Sequence, residues 1–387
     1  MRALSPLLIL ILILQAGAAH AQVPLKPGTP MILNWTSDQQ QRWYPAMETV
    51  FAVQSVARGA TVHPLLVAAT QIAPTYRFQG STWTVDEFMK AYSASGVLVL
   101  KDGKILLERY GLGRRPQDRW TSFSVAKSIT STLAGAAVRD GRLKLTDRVT
   151  AYIPELKGSA YEDVSVHDLM TMSSGVAWNE DYNDPKSDIA QAGMVLEPGV
   201  DPYVSYVKRL GRAHPPGTTW HYNTSETNLM GIVVARAAGK PLAAYLSEKI
   251  WKPYGMEQDA VWMVDRSGLE LGGCCISMTL RDYGRIGQFM LDDGVAAGIA
   301  VLPAGWVQEA TKVQIPNGLT GYGYFWWIGP EAFEAEGIYG QSVLVYPKDR
   351  LVVVINSAWK RADDAADWVA MQAFQKAVRT AAASVKP

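Results

Sequence analysis

The 387-residue chain carries 37 Lys and Arg against 36 Asp and Glu, and 48% of it is hydrophobic. That balance supplies no basic face for nucleic acid or anionic lipid. The length exceeds one compact core of ordinary size, and no low-complexity linker or internal repeat divides it, so two interwoven lobes or one large domain with an insertion are expected.

Arg2, an apolar run from Leu7 to Leu14 and the small-x-small triplet Ala19-His20-Ala21 read as a secretory signal peptide over residues 1–21, cut after Ala21. The run falls short of the roughly 20 residues a spanning helix needs. The expected mature protein is secreted or periplasmic, with no stable membrane insertion after cleavage. Loss of Arg2 leaves 37 − 1 = 36 basic residues against 36 acidic ones.

The first strand signals follow. Gly96-Val97-Leu98-Val99-Leu100 and Lys104-Ile105-Leu106-Leu107-Glu108-Arg109-Tyr110 flank Lys101-Asp102-Gly103, and Asp-Gly is a hairpin signal. Helical periodicity then begins at Ser124 and stops at Asp140-Gly141.

At that helix start stands Ser124-Val125-Ala126-Lys127. A serine three residues before a lysine places hydroxyl and amine on one helical face, as a serine nucleophile needs when its base is a lysine. The competing reading is an ordinary N-cap serine. The same spacing recurs at Ser205-Tyr206-Val207-Lys208, between Pro202 and Gly211, where both polar side chains are expected to be solvated on a short helix. Between the two copies, Glu180-Asp181-Tyr182-Asn183-Asp184-Pro185 is a polar loop.

Helices are expected over 225–238, ending at Gly239, over 242–251, ending before Pro253, and over 279–291 and 362–382. Cys274 and Cys275 are the two cysteines; adjacent Cα atoms lie about 3.8 Å apart, below the range of ordinary bridges, so no disulfide is expected. They read as small buried apolar residues, without the further ligands a metal site requires. Tyr322-Gly323-Tyr324-Phe325-Trp326-Trp327 reads as one strand. Ser342-Val343-Leu344-Val345-Tyr346 and Leu351-Val352-Val353-Val354-Ile355 form a second hairpin around Pro347-Lys348-Asp349-Arg350. The order strand pair, helical block, strand pair, helix implies an α/β (α+β) sandwich, its antiparallel sheet flanked by helices, with an inserted mainly helical lobe. The sheet lobe would cover about 22–115 and 255–387, the helical lobe about 116–254.

No Gly-x-Ser-x-Gly elbow occurs, which argues against an α/β-hydrolase fold. His63, His167, His214 and His221 lack metal spacing, and His221, beside Tyr222, is poorly placed to aim at the same point.

Beyond Ser124 the chain reads Asp140-Gly141-Arg142-Leu143, Tyr152-Ile153-Pro154-Glu155-Leu156, Ser165-Val166-His167-Asp168-Leu169, Pro216-Gly217-Thr218-Thr219-Trp220-His221-Tyr222-Asn223-Thr224 and Lys252-Pro253-Tyr254-Gly255-Met256. In this order the blocks closely resemble the serine β-lactamase and penicillin-binding superfamily, on its class C-like branch, nearest the 6-aminohexanoate-dimer hydrolases and related carboxylesterases. The resemblance runs from about residue 30 to 380. It implies a β-lactamase-like fold with Ser124 as nucleophile, Lys127 as its base and Tyr222, in Tyr-Asn-Thr, as second proton carrier.

The family's Lys-Thr-Gly triplet falls on Ala335-Glu336-Gly337, which has no lysine. That departure weakens a β-lactamase reading and fits the esterase and amidase branches. The backbone N–H groups of Ser124 and Ile338 would form the oxyanion hole, with Gly340-Gln341 as an alternative register. Tyr182, Thr224, Tyr339 and Gln341 are assigned to substrate binding. The resemblance thus implies a serine hydrolase of small-molecule amides or esters, acting through an acyl-enzyme without metal or cofactor. The alternatives are a β-lactamase or D-alanyl-D-alanine carboxypeptidase, and a penicillin-binding sensor or cell-wall binding module without turnover.

Overall fold

The computed structural model describes residues 31–194, 197–316 and 321–385; the signal-peptide residues lie outside these. Eleven strands carry the two sheets that build the site. In chain order they are β1 (Val53–Val56), β2 (Ala94–Lys101), β3 (Lys104–Tyr110), β4 (Arg119–Thr121), β5 (Ala260–Met263), β6 (Ile276–Thr279), β7 (Gly321–Tyr322), β8 (Trp327–Ile328), β9 (Phe333–Gly337), β10 (Gln341–Tyr346) and β11 (Leu351–Ser357). The helices that matter are α1 (Val125–Arg139), α2 (Pro202–Val207), α3 (Thr224–Ala238), α4 (Leu280–Leu291) and α5 (Ala365–Ala383).

The large sheet has the order β7-β8-β9-β10-β11-β2-β3 and is antiparallel throughout. Its register sets Val97 opposite Ile355 and Val99 opposite Val353, so strands from the two ends of the chain meet at its middle. Side chains alternate between faces along each strand. Leu98, Leu100, Val352 and Val354 share one hydrophobic cluster with Ile286 and Phe289 of α4. Val97, Val99, Val353 and Ile355 share another with Met371, Phe374 and Val378 of α5. Both faces are therefore covered, which explains why β2 and β11 read as unbroken apolar runs.

A smaller antiparallel sheet, in the order β1-β5-β6-β4, was not foreseen. Its three- and four-residue strands are too short to show a period. The sheet hands the chain from β4 directly to Ser124. Ser122 donates its N–H to the Ile276 carbonyl (2.8 Å), and its hydroxyl accepts from the Ile276 N–H (3.1 Å).

Helix α1 is buried from Val125 to Ala137, and its polar side chains find internal partners: Ser128 donates to the Phe325 carbonyl (2.6 Å) and Thr130 to that of Gly272 (2.7 Å). Among the described residues no single helix is long and apolar enough to cross a membrane.

Three local expectations are corrected. Residues 322–327 form no single strand: Gly323 donates to the Trp326 carbonyl (2.9 Å), Phe325 is left-handed (φ 57°), and the turn separates β7 from β8. The helix expected to end before Pro253 passes through a π-helical turn, Ser247–Trp251, into Lys252–Tyr254. Pro253 lies inside this run, which ends two residues later at Gly255 (φ 81°). On α2, Ser205 is fully buried rather than solvated, and Lys208 pairs with Glu197 at 2.5 Å. This second Ser-x-x-Lys is thus a packed serine and a surface ion pair.

Candidate active site

Ser124 follows Phe123, a non-glycine residue held at φ 43°. A left-handed bulky residue is strained. The ring contacts of Phe123 with Tyr44 (5.3 Å) and Tyr339 (4.9 Å) hold it in place. Ser124 occupies the N-cap position of α1, yet its side chain caps nothing. Its Oγ instead accepts a hydrogen bond from Lys127 Nζ at 2.8 Å, which removes the ordinary N-cap reading.

Lys127 is 2% exposed and also donates to the Gly273 carbonyl at 3.0 Å. Among the described residues no carboxylate forms a salt bridge with it. Burial holds its pKa down at about 8, against a smaller opposing pull from Glu180. Above the ammonium, 5.2 Å away, lies the Tyr222 ring. Burial pushes the Tyr222 phenol up, Glu180 adds to that, and the Ser124 hydroxyl bonding to it acts in the opposite direction. Tyr222 stacks on Trp327 (5.8 Å, 15°) and immediately precedes Asn223, which caps α3 by accepting from the Ser225 N–H (2.9 Å). A helix start at each of two positions therefore aims Ser124, Lys127 and Tyr222 at one point.

Ile338 lies in the turn joining β9 to β10 and lines the same cleft as Ser124. Its carbonyl accepts from the Asp363 N–H at 2.8 Å. Among the described residues neither the Ser124 nor the Ile338 N–H has an acceptor. The strand end is brought in by Gly337, where a Cβ would sit 2.6 Å from the Ser122 carbonyl oxygen. Gly340 spends its N–H on the Gly337 carbonyl (2.9 Å) and Gln341 pairs with Gly337 in the ladder, so the alternative register does not form.

Tyr182 and Thr224 line the cleft. Both donate to Glu180, which the sequence reading missed. Its carboxylate accepts from the Tyr182 hydroxyl (2.7 Å), the Thr224 N–H (3.0 Å), the Thr224 hydroxyl and the Trp178 indole. The one available signal was the alternation Trp178-x-Glu180-x-Tyr182, since the other two donors, both from Thr224, arrive only with the start of α3. Tyr339 and Gln341 do not line the cleft around Ser124. Tyr339 is 2% exposed and donates to the Leu33 carbonyl (2.9 Å), while Gln341 is fully buried and donates to that of Ser357 (2.8 Å). Both brace the Ile338 turn, which corrects their assignment to substrate binding. His221 is held by the Trp178 carbonyl (2.8 Å), away from Ser124.

The cysteine expectation is also corrected. Cys274 and Cys275 are joined by a disulfide that closes a ring through their own peptide, with Cys275 at φ 69° and its N–H on the Phe123 carbonyl. The pair lines the cleft beside Lys127. Among the described residues no group of three or more His, Cys, Asp or Glu could hold a metal ion.

A serine and a buried lysine at the start of a central helix, under a strand of a helix-covered antiparallel sheet, define the architecture of the serine β-lactamase and penicillin-binding superfamily. The β-lactamase family model matches residues 84–376, and the chain belongs to that family; it is a hydrolase of the serine β-lactamase superfamily. A 6-aminohexanoate-dimer hydrolase from Paenarthrobacter ureafaciens is 28% identical over 359 residues, covering 87% of this chain and 90% of its own. A solved structure from Bacillus anthracis, provisionally named a 6-aminohexanoate-dimer hydrolase, superposes with a TM-score of 0.78 at 23% identity, covering 92% of this chain and 98% of its own. A family VIII carboxylesterase structure shares the fold at a TM-score of 0.58 and 16% identity, over 76% and 96% of the respective chains.

Proposed function

We propose that the protein is an exported serine hydrolase that cleaves amides or esters through an acyl-enzyme. The observation that carries this reading is the 2.8 Å contact between Ser124 Oγ and a buried amine whose pKa is held near about 8. A free amine at that distance takes the serine proton as Oγ bonds to the substrate carbonyl carbon. The resulting oxyanion is received by the Ser124 and Ile338 N–H groups. Tyr222 gives its proton to the departing nitrogen or oxygen as that bond breaks, and regains one from the Lys127 ammonium. Water then attacks the acyl-serine ester, releasing the acid and restoring the hydroxyl.

Two observations favour an amidase of the 6-aminohexanoate-oligomer type or a carboxylesterase over a β-lactamase. One is the 28% identity to the dimer hydrolase across nearly the whole chain. The other is the absence of lysine from Ala335-Glu336-Gly337. The test is fluorophosphonate labelling with intact-mass analysis, beside turnover of a nitrophenyl ester, a chromogenic cephalosporin and a linear aminohexanoate dimer. One adduct at Ser124, ester or amide turnover, and loss of both in Ser124→Ala support the reading. Undiminished labelling of Ser124→Ala refutes it.

A further inference from the structure

Ser124 lies on the boundary between two cavities of opposite character. One, of about 240 Å³, is walled by Phe51, Phe123, Ile189, Met263, Leu271 and Cys274, with no carboxylate among its described lining residues. The other, of about 540 Å³, is lined by Glu180, Asp181, Glu336 and Asp363 together with the rings of Tyr222 and Trp327, and no lysine or arginine is among its described lining residues. Lys127 reaches its edge only through Ser124 and the Tyr222 ring, while Lys360 and Arg361 line an adjoining hollow, where Arg361 is paired with Asp364.

The proton carriers tell the two cavities apart. Lys127 lines the apolar cavity and not the acidic one; Tyr222 lines the acidic cavity and not the apolar one. The group that leaves must reach the proton donor, so the departing half of a substrate occupies the acidic side and the acyl half the apolar side.

We infer that the substrate joins an apolar acyl chain to a positively charged alcohol or amine. This rests on the acyl-enzyme reading above and names its substrate class. Glu180, Asp181 and Asp363, lining one cavity with no lysine or arginine among its described residues, carry the argument, and Glu336 adds to it. Glu336 bonds to Glu334, which accepts from Gln375 at 2.7 Å, and no cation of the described residues pairs with either carboxyl. Desolvation, Glu334 and Asp363 all push the Glu336 carboxyl well up, so it keeps its proton and gains a charge only when a cation stands beside it. A cationic group in the cavity supplies the counter-charge this wall lacks, and the Tyr222–Trp327 stack offers it ring faces. The departing half of a linear 6-aminohexanoate dimer ends in a carboxylate, which the same wall repels. Of the two substrate types proposed above, the inference therefore favours esters and amides with a cationic departing group over the linear dimer.

The test uses the purified mature enzyme and matched octanoyl compounds at low salt, as esters and as amides. Each set has a departing group ending in an ammonium, an uncharged isostere or a carboxylate. The expected order of kcat/KM is ammonium, neutral, carboxylate, with steps of about tenfold that shrink as salt is added. With a neutral leaving group, acyl chains lengthened from acetyl raise kcat/KM about fourfold per methylene until the cavity is filled. In Asp363→Asn the ammonium-to-neutral ratio falls towards one. A flat or reversed order with Ser124-dependent turnover overturns the inference and leaves the acyl-enzyme reading standing. Absence of both Ser124-dependent turnover and fluorophosphonate labelling overturns the two together.

Discussion

Glu180→Gln isolates the step on which the proposed chemistry depends, the supply of free amine at Lys127. An amine at its ordinary 10.5 is about 0.03% free at pH 7, whereas one at about 8 is about 10% free, so burial alone raises the base population some 300-fold. The sign follows from the role: the base must be uncharged, so kcat/KM rises about tenfold per pH unit below 8 and levels above it. Glu180 is the carboxylate that opposes the lowering of this pKa. Neutralising it moves the rising limb to lower pH. Because the wild-type fraction at pH 7 is already about a tenth, the gain there is capped at about tenfold. The assay is kcat/KM for a nitrophenyl ester from pH 5 to 10 in wild type and variant. A limb that moves to higher pH, or a wild-type profile flat across pH 6 to 9, refutes the assignment of Lys127 as base.

Tyr222→Phe removes the proposed donor to the departing atom and keeps the ring stack. Amide turnover should fall by about 10² to 10⁴, and nitrophenyl ester turnover much less, because nitrophenolate leaves without a proton. Gly337→Ala drives a methyl group to 2.6 Å from the Ser122 carbonyl and displaces the Ile338 N–H, so kcat should drop by about 10² or more with KM little changed. The fully enclosed Glu226, bonded to Ser174 and Asn223 (3.3 Å), is raised from 4.5 to about 8 by burial. The folded state thus keeps a proton that the unfolded state releases. The stability this provides is complete below about 4.5 and is lost as pH rises to about 8. Glu226→Gln stays neutral, so its Tm minus that of wild type should grow between pH 5 and 8 in thermal unfolding; a constant difference contradicts the assignment.

The Ser-x-x-Lys pair could be read in sequence because both residues belong to one helical turn, and spacing along a helix is a local property. Composition could not separate its two copies. Ser124 meets Lys127 at a helix start beneath a strand end, whereas Ser205 is simply packed. Tyr222 was reached through its neighbours in the chain, and the structure brings it to the same point. Glu180 escaped because its donors lie 2 and 44 residues away, and nothing local marks a carboxylate that will collect an indole, a phenol and a helix N-terminus. Tyr339 and Gln341 were misjudged for the opposite reason: adjacency to the motif suggested contact with substrate, but a β-turn points the side chains of 338 and 339 in different directions. The large sheet was legible in its apolar runs, while the strands of the small sheet, three or four residues each, carried no pattern.

Among the described residues, the strand Leu351–Ser357 is the only neighbour of Ala94–Lys101 on its inner side. A nascent chain therefore holds the β2–β3 hairpin for some 250 residues of synthesis with one edge bare. The domain cannot close co-translationally, and a polypeptide stopped short of position 351 presents that edge permanently.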